Sequence, residues 1–322
     1  MRRVCWQTVT DPADRLWQAP RLVLGRVSRG DDGYHDPMLA AVEWVVFLTA
    51  DSFLGATEVG SSMSIFDKFS LNGKRLFITG GSRGLGREMA LAIADAGADV
   101  VLVGRDSDSL EMTASDIREL GRQANTLCGD VGIPQECENI CQQALSDYGP
   151  IDLLINNVGG RRINIPTEEL SVNDWQRLID LNLTSTFVCT KTIGGEMVRR
   201  GVGGRVINVA SISGMVANRD IGGRSYETSK AAVIQFTRAT AADWAPCGVT
   251  VNAICPGGFM TEPNQRWAQE HPQVIESFRQ LIPMGDFGQP DDMGPLAVYL
   301  ARGASRYMTG AALVIDGGYT LW

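Results

Sequence analysis

The stretch Lys74-Arg-Leu-Phe-Ile-Thr79-Gly-Gly-Ser-Arg-Gly84-Leu-Gly86 decides the fold. A short apolar run leads straight into a glycine-rich turn, and Gly84–Ala96 then carries apolar residues at helical spacing. A strand, a close-approach turn and a helix form a site for phosphate. The first helical N–H groups and the positive end of the helix dipole both attract an anion. Gly80, Ser82, Arg83, Gly84, Leu85 and Gly86 are therefore the first candidate binding residues. The spacing Gly80-x3-Gly84-x-Gly86 is not the G-x-G-x-x-G fingerprint. Taken alone, the loop is either a phosphate cradle or a plain strand-to-helix turn.

The same alternation continues outward. Lys74–Thr79, Val100–Val103, Asp152–Ile155, Arg205–Val209, Val249–Ile254 and Ala312–Ile315 are nearly unbroken apolar runs, and Ala124–Cys128 is a weaker one. Such runs suit parallel strands covered on both faces. Helical patterns fall between them at Gly84–Ala96, Asp106–Leu120, Gln135–Tyr148, Val172–Arg200 and Ser225–Ala245. The prediction is an α/β protein: a single doubly wound Rossmann-type domain with a seven-stranded parallel sheet flanked by helices on both faces. Its ligands are expected at the carboxyl ends of the strands, near the reversal of strand order.

Residues 1–62 differ from the rest. They show no sustained period, and turn formers cluster at Arg29–Pro37. Met38–Leu54 is apolar, but at 17 residues with Glu43 and Asp51 it is a poor membrane span. It also starts too far along the chain for a secretory signal. Residues 1–62 read as a poorly defined extension or as sequence outside the mature protein. Met63 is a candidate start, and 63–322 is the domain.

The formal net charge is -8. Residues 1–62 hold 6 of the 29 basic and 8 of the 37 acidic residues, leaving 23 and 29, a net of -6. The acidic balance thus belongs to the domain and argues against a nucleic-acid surface. No membrane partner is expected, only a small-molecule substrate. The seven cysteines, Cys5, Cys128, Cys137, Cys141, Cys189, Cys247 and Cys255, lack C-x-x-C spacing. They read as free thiols of a reducing, cytoplasmic compartment. Cys137 and Cys141 can share a helix face, but no histidine lies near to complete a ligand set, so no metal is expected. His35 and His271 fall outside every motif, which leaves Ser-His-Asp chemistry little material.

The second strand ends in Val103-Gly104-Arg105-Asp106. Dinucleotide-binding folds place an acid there for the NAD ribose, or an Arg nearby for the 2′-phosphate of NADP. Arg105 and Arg83 suit a phosphate dianion, so NADP is expected. Asp106 keeps NAD possible, since it could neutralise Arg105 or point at a ribose.

In Ser225-Tyr226-Glu-Thr-Ser-Lys230 the tyrosine and lysine stand four apart and share a helix face. A phenol near its ordinary pKa is a poor base at neutral pH. An adjacent ammonium and a positive nicotinamide ring would lower that pKa. Upstream, Val206-Ile-Asn-Val-Ala-Ser211-Ile-Ser-Gly214 is a strand entering a small-residue loop.

These motifs, in this order, resemble those of the short-chain dehydrogenase/reductase family over residues 69–320. The glycine loop matches T-G-x-x-x-G-x-G, Asn156-Asn157-Val158-Gly159 matches N-N-A-G with Val for Ala, and Ser211–Gly214 completes N-[IV]-x-S-x-x-G. Tyr226 and Lys230 match Y-x-x-x-K, Pro256–Thr261 matches P-G-x-x-x-T, and Asp316-Gly-Gly matches the family's ending. The resemblance implies an oxidoreductase acting on CH–OH groups. It implies that Tyr226 is general acid in reduction and base in oxidation, that Lys230 tunes it and holds the ribose, and that Ser211 polarises the substrate oxygen, with Ser213 as the alternative. Asn182 would hold a proton-relay water, or act structurally. Asp130 and Val131 would lie beside the adenine, and Asn157 and Gly159 beside its ribose. Pro256, Gly257 and the backbone near Phe259 would face the carboxamide, and Thr261 the diphosphate. A homodimer or homotetramer is also implied. The 15-residue Ser211–Tyr226 interval exceeds the family's usual one and puts a small insertion beside the pocket.

Substrate choice is expected in Glu262–Gly288, an amphipathic segment that reads as a lid. Arg161, Arg162, Arg219 and Arg224 are candidate carboxylate or phosphate contacts, or else solvated loop residues. The arginine pair after N-N-V-G and the leader Phe66–Lys74 look like the gluconate 5-dehydrogenase branch, implying a sugar acid or polyol. The β-ketoacyl (3-oxoacyl)-acyl-carrier-protein reductases are the alternative, but they need a basic exterior for an acidic carrier. A non-catalytic dinucleotide-binding protein is the remaining reading. Such proteins typically lose the Tyr or the Lys, and both are present here.

Overall fold

A computed structural model of the chain describes residues 64–161, 163–218 and 223–321. Residues 1–62, and with them the expected boundary at Met63, lie outside the described residues.

Seven strands form one sheet: β1 (Arg75–Thr79), β2 (Asp99–Gly104), β3 (Ala124–Cys128), β4 (Leu153–Asn156), β5 (Gly204–Val209), β6 (Val249–Pro256) and β7 (Ala312–Ile315). Their order is β3-β2-β1-β4-β5-β6-β7, and every pairing is parallel. The order reverses between β1 and β4, so a crevice opens beyond the ends of those strands. Each expected strand is present. β7 differs in burial: it has one neighbour only, and Val314 is 42% exposed.

The two faces sort by alternation, because successive side chains of a strand point to opposite sides. Leu76, Ile78, Val100 and Leu102 join a core with α1 (Gly84–Asp95), α2 (Ser107–Glu119) and, through Met293 and Leu300, a helix at Met293–Ala301. Phe77, Val101, Val103 and Leu154 face the other way, toward α3 (Pro134–Tyr148) and the long central helix. Both faces are thus buried, which is why the strands read as unbroken apolar runs.

The expected helix Val172–Arg200 is continuous but not uniformly α. It comprises α4 (Val172–Ile179), a π turn at Asp180–Thr184, α5 (Ser185–Cys189), a second π turn at Thr190–Gly194, and α6 (Gly195–Arg200). Beside it lies α7 (Arg224–Trp244), which carries Tyr226 and Lys230. The Glu262–Gly288 segment folds as α8 (Glu262–Glu270) and α9 (Pro272–Arg279), and α10 is Met293–Ala301. The end of α9 packs by aromatic rings on later residues: Phe278 stacks on Phe287 and on Tyr319 at 5.3 and 4.9 Å.

Candidate active site

The glycine loop and the end of β4 are joined by side-chain bonds. Asn157 donates from its backbone N–H to Thr79 Oγ1 (3.0 Å) and from Nδ2 to the carbonyls of Thr79 and Gly80 (both 3.1 Å). Gly86 lets α1 start against the loop, since a Cβ there would lie 2.1 Å from the Gly80 oxygen. The α1 N-cap, Arg83, is extended and makes no side-chain cap bond, so the helix start keeps N–H groups for a ligand.

A cavity of about 620 Å³ covers this loop, lined by Gly80, Ser82, Arg83, Arg105, Asp130, Val131, Asn157, Gly159 and neighbours. A second, of about 240 Å³, shares Arg83, Asn157 and Gly159 with it and adds Leu85, Gly86, Ser211, Tyr226, Lys230, Pro256 and Gly257. The two sets of candidates therefore line adjoining cavities. Three expected cofactor contacts, Gly84, Phe259 and Thr261, line neither. Gly84 lies behind the loop against Thr261, and Phe259 is core, its carbonyl accepting from Thr261 N (2.9 Å) and Asn264 Nδ2 (2.7 Å).

The charges pair differently from expectation. Asp106 faces Arg83 at 3.5 Å rather than Arg105, and caps α2 by accepting from Ser109 N at 2.9 Å. That cap bond, aided by Arg83, holds its carboxyl below the usual range. Arg105 meets Asp130 instead, at 3.5 Å. Both guanidinium groups still line the larger cavity. The cradle of free amides, the glycine approach and the paired arginines fit a dinucleotide lying along the two cavities.

At the smaller cavity Lys230 is 3% exposed and donates to the Val209 carbonyl at 2.7 Å. Burial pulls its pKa down to about 8, against a small opposing effect of Cys255. Gly159 brings two groups together: a Cβ on it would lie 2.7 Å from Asn182 Oδ1 and 2.8 Å from Lys230 Nζ. Asn182 is fully buried in the first π turn. It accepts from Gly160 N (2.8 Å) and donates to the carbonyls of Leu178 (3.0 Å) and Gly160 (3.3 Å). A π turn widens the helix by one residue and is frequent at functional sites.

Tyr226 lines the same smaller cavity. Burial raises its pKa, and a hydrogen bond with Ser211 and the charge of Arg161 only partly offset this. Lys230 Nζ stands 5.9 Å from the centroid of the same ring. Ser211 Oγ also accepts from Ser213 N at 3.0 Å.

Sequence reading missed Glu227. This carboxylate is buried beside Tyr226 and accepts from Asn218 N (3.0 Å), Asn218 Nδ2 (3.1 Å), Arg224 (2.8 Å) and Arg161 (3.4 Å). Burial raises its pKa, but those donors outweigh burial and hold it below the ordinary range. Of the substrate candidates, Arg161 lies over the Tyr226 ring and reaches Ser213 Oγ at 3.5 Å. Arg224 braces Glu227, and Arg162 and Arg219 lie outside the described residues. The signal for Glu227 was a charge beside the tyrosine of a helix that packs on the sheet, which needs partners when buried.

Comparison with known proteins adds to this geometry. The sequence profile described as Enoyl-(Acyl carrier protein) reductase matches residues 80–320. The chain is 35% identical to a galactitol 2-dehydrogenase (L-tagatose-forming) of Cereibacter sphaeroides, over 79% of this chain and 98% of that protein. It is 35% identical to a gluconate 5-dehydrogenase of Gluconobacter oxydans, over 80% and 99%. The structure of a gluconate 5-dehydrogenase of Burkholderia cenocepacia in complex with NADP and tartrate superposes with a TM-score of 0.74 at 31% identity, covering 80% of this chain and all of that one. Among the described residues no helix is long and apolar enough to cross a membrane.

Proposed function

The chain belongs to the short-chain dehydrogenase/reductase family, and from that premise we propose that it transfers a hydride between NADP and the secondary alcohol or ketone of a sugar acid or polyol. The observation that carries this reading is that two cavities share Arg83, Asn157 and Gly159 as walls, one around the glycine loop and arginines, the other around Ser211, Tyr226 and Lys230. Gly80–Gly86 and the α1 amides would hold the diphosphate, and Arg83 and Arg105 the 2′-phosphate. The nicotinamide supplies or accepts the hydride when bound. Tyr226 delivers the proton to the carbonyl oxygen in reduction and removes it in oxidation. Ser211 hydrogen-bonds the same oxygen, and Lys230 favours the phenolate. Asn182 fixes the Gly159–Gly160 turn beside Lys230.

A sugar acid is favoured by Arg161, whose guanidinium borders the tyrosine and whose orientation Glu227 and the Gly223 carbonyl hold. A carboxylate is the ligand such a group recognises, and the Burkholderia enzyme was crystallised with the dicarboxylate tartrate. Reduction of acyl thioesters is the second reading, kept by the description of the matching profile. The net charge of -8 weighs against an acidic carrier. The deciding experiment is a turnover panel of hexonates, polyols and acyl thioesters with NADPH and NADP. Turnover of thioesters alone would overturn the sugar-acid reading. The family also suggests a homodimer or homotetramer, which sedimentation would count.

A further inference from the structure

Three thiols meet in the core between α3 and the central helix. Cys137 and Cys141 stand one turn apart on α3, and Cys189 ends α5. Cys189 Sγ lies 3.4 Å from Cys137 Sγ and 3.6 Å from Cys141 Sγ, and all three sulfurs fall within 4.8 Å of one another. Each residue is 0% exposed. Leu127, Ile140, Ala144, Val188 and Ile193 share their apolar cluster. None of the three sulfurs belongs to the hydride-transfer site.

Sulfurs bound to one centre at about 2.3 Å stand roughly 3.8–4.0 Å apart in tetrahedral or planar geometry, and closer in a pyramid. The two spacings to Cys189 Sγ, 3.4 and 3.6 Å, already match such a centre, and the third sulfur pair lies within 4.8 Å. Among the described residues no His, Asp or Glu joins the group, so the fourth ligand of a structural zinc site is lacking. Charge then selects the occupant. Three thiolates in an apolar shell leave two negative charges around a monovalent ion and one around a divalent ion, and uncompensated buried charge is costly. A trivalent centre leaves none.

We propose that Cys137, Cys141 and Cys189 form a three-sulfur receptor for a trivalent thiophilic centre of the arsenous-acid type. The step is a condensation. Three As–O and three S–H bonds break, three As–S bonds form and three waters leave. Arsenic stays trivalent and no electrons change hands. The entrant is a small neutral molecule, and α3 is a surface helix whose outer side, at Gln135, Asn139, Gln142 and Ser146, is exposed. Local opening of that helix gives access.

The test uses the full chain, reduced with a phosphine and incubated with sodium arsenite. The expected result is one arsenic per chain by native mass spectrometry, with three of the seven cysteines protected from alkylation, and a raised melting temperature. Cys189→Ala and Cys141→Ala, on different helices, should each bind roughly 100-fold more weakly, as for loss of one of several tethered donors. Cys128→Ala and Cys247→Ala should bind as the parent does. No adduct, an adduct consuming only two thiols, binding unaltered in both core variants, or tighter uptake of zinc or copper(I) than of arsenite would each overturn the proposal. The thiol count on the parent chain decides even where a variant fails to fold.

Discussion

The guanidinium carbon of Arg161 lies 4.8 Å from the centroid of the Tyr226 ring, and Glu227 holds it from the next position along α7. Arg161 is thus a fixed positive charge at the half-buried phenol, and it opposes the desolvation that raises the Tyr226 pKa. Removing that charge in Arg161→Met should raise the phenol pKa further. Oxidation needs the phenolate, so its pH–rate profile should move to higher pH. Reduction uses the phenol and should keep its rate at neutral pH. An unshifted oxidation profile would remove Arg161 from this role.

Tyr226→Phe keeps the ring beneath Arg161 and removes only the hydroxyl. Turnover should fall by about 10²–10⁴-fold, the usual contribution of a positioned acid or base. NADPH affinity, followed by fluorescence titration, should stay within a few-fold of the parent. Near-normal turnover would show that another group moves the proton.

Lys230 binds its proton less tightly in the folded chain, where its pKa is about 8, than in the unfolded chain, where it keeps its ordinary value of 10.5. Between those values the unfolded chain holds more protons, so stability from this group rises with pH across the window. The burial penalty is complete below about pH 8. Its full relief is on the order of 3 kcal/mol. Chemical denaturation from pH 7 to 10 should show this rise in the parent relative to Lys230→Met, which lacks the titrating group. Parallel pH curves for the two proteins would contradict the buried ammonium.

Arg105→Ala should weaken NADPH at least about tenfold while leaving NADH nearly unchanged, because a charge-assisted bond to phosphate contributes roughly 1.5–3 kcal/mol. Asp106→Asn makes the opposite prediction. Asparagine caps a helix as well as aspartate does, so α2 should persist, while Arg83 loses its carboxylate partner at 3.5 Å. NADPH preference over NADH should rise a few-fold. Titration of both cofactors against both variants checks the pair of expectations.

Much of this was legible in the sequence for specific reasons. β1, β4 and β6 are buried on both faces and leave largely apolar runs, interrupted in β6 by Thr250 and Asn252. The glycine loop was legible because Gly86 stands where a Cβ would strike the Gly80 carbonyl. The helix α10 was not foreseen, since its nine residues, with Gly294 and Pro295 near the start, are too few to show a period. The π turns were invisible for a different reason. Their residues keep ordinary right-handed helical angles at the caps and differ only in which carbonyl each N–H reaches.

By itself the sequence determined the doubly wound sheet and the order of its motifs, because these rest on local spacing and on burial on both faces of a strand. Only the tertiary structure decided which charges pair and which thiols meet. Asp106 turns to Arg83 and Arg105 to Asp130, Glu227 collects Arg161 from 66 positions away, and Cys189 closes on Cys137 from 52 away. Those partners are set by where the strand ends and helix faces come together, a long-range outcome of packing that no local pattern of residues encodes.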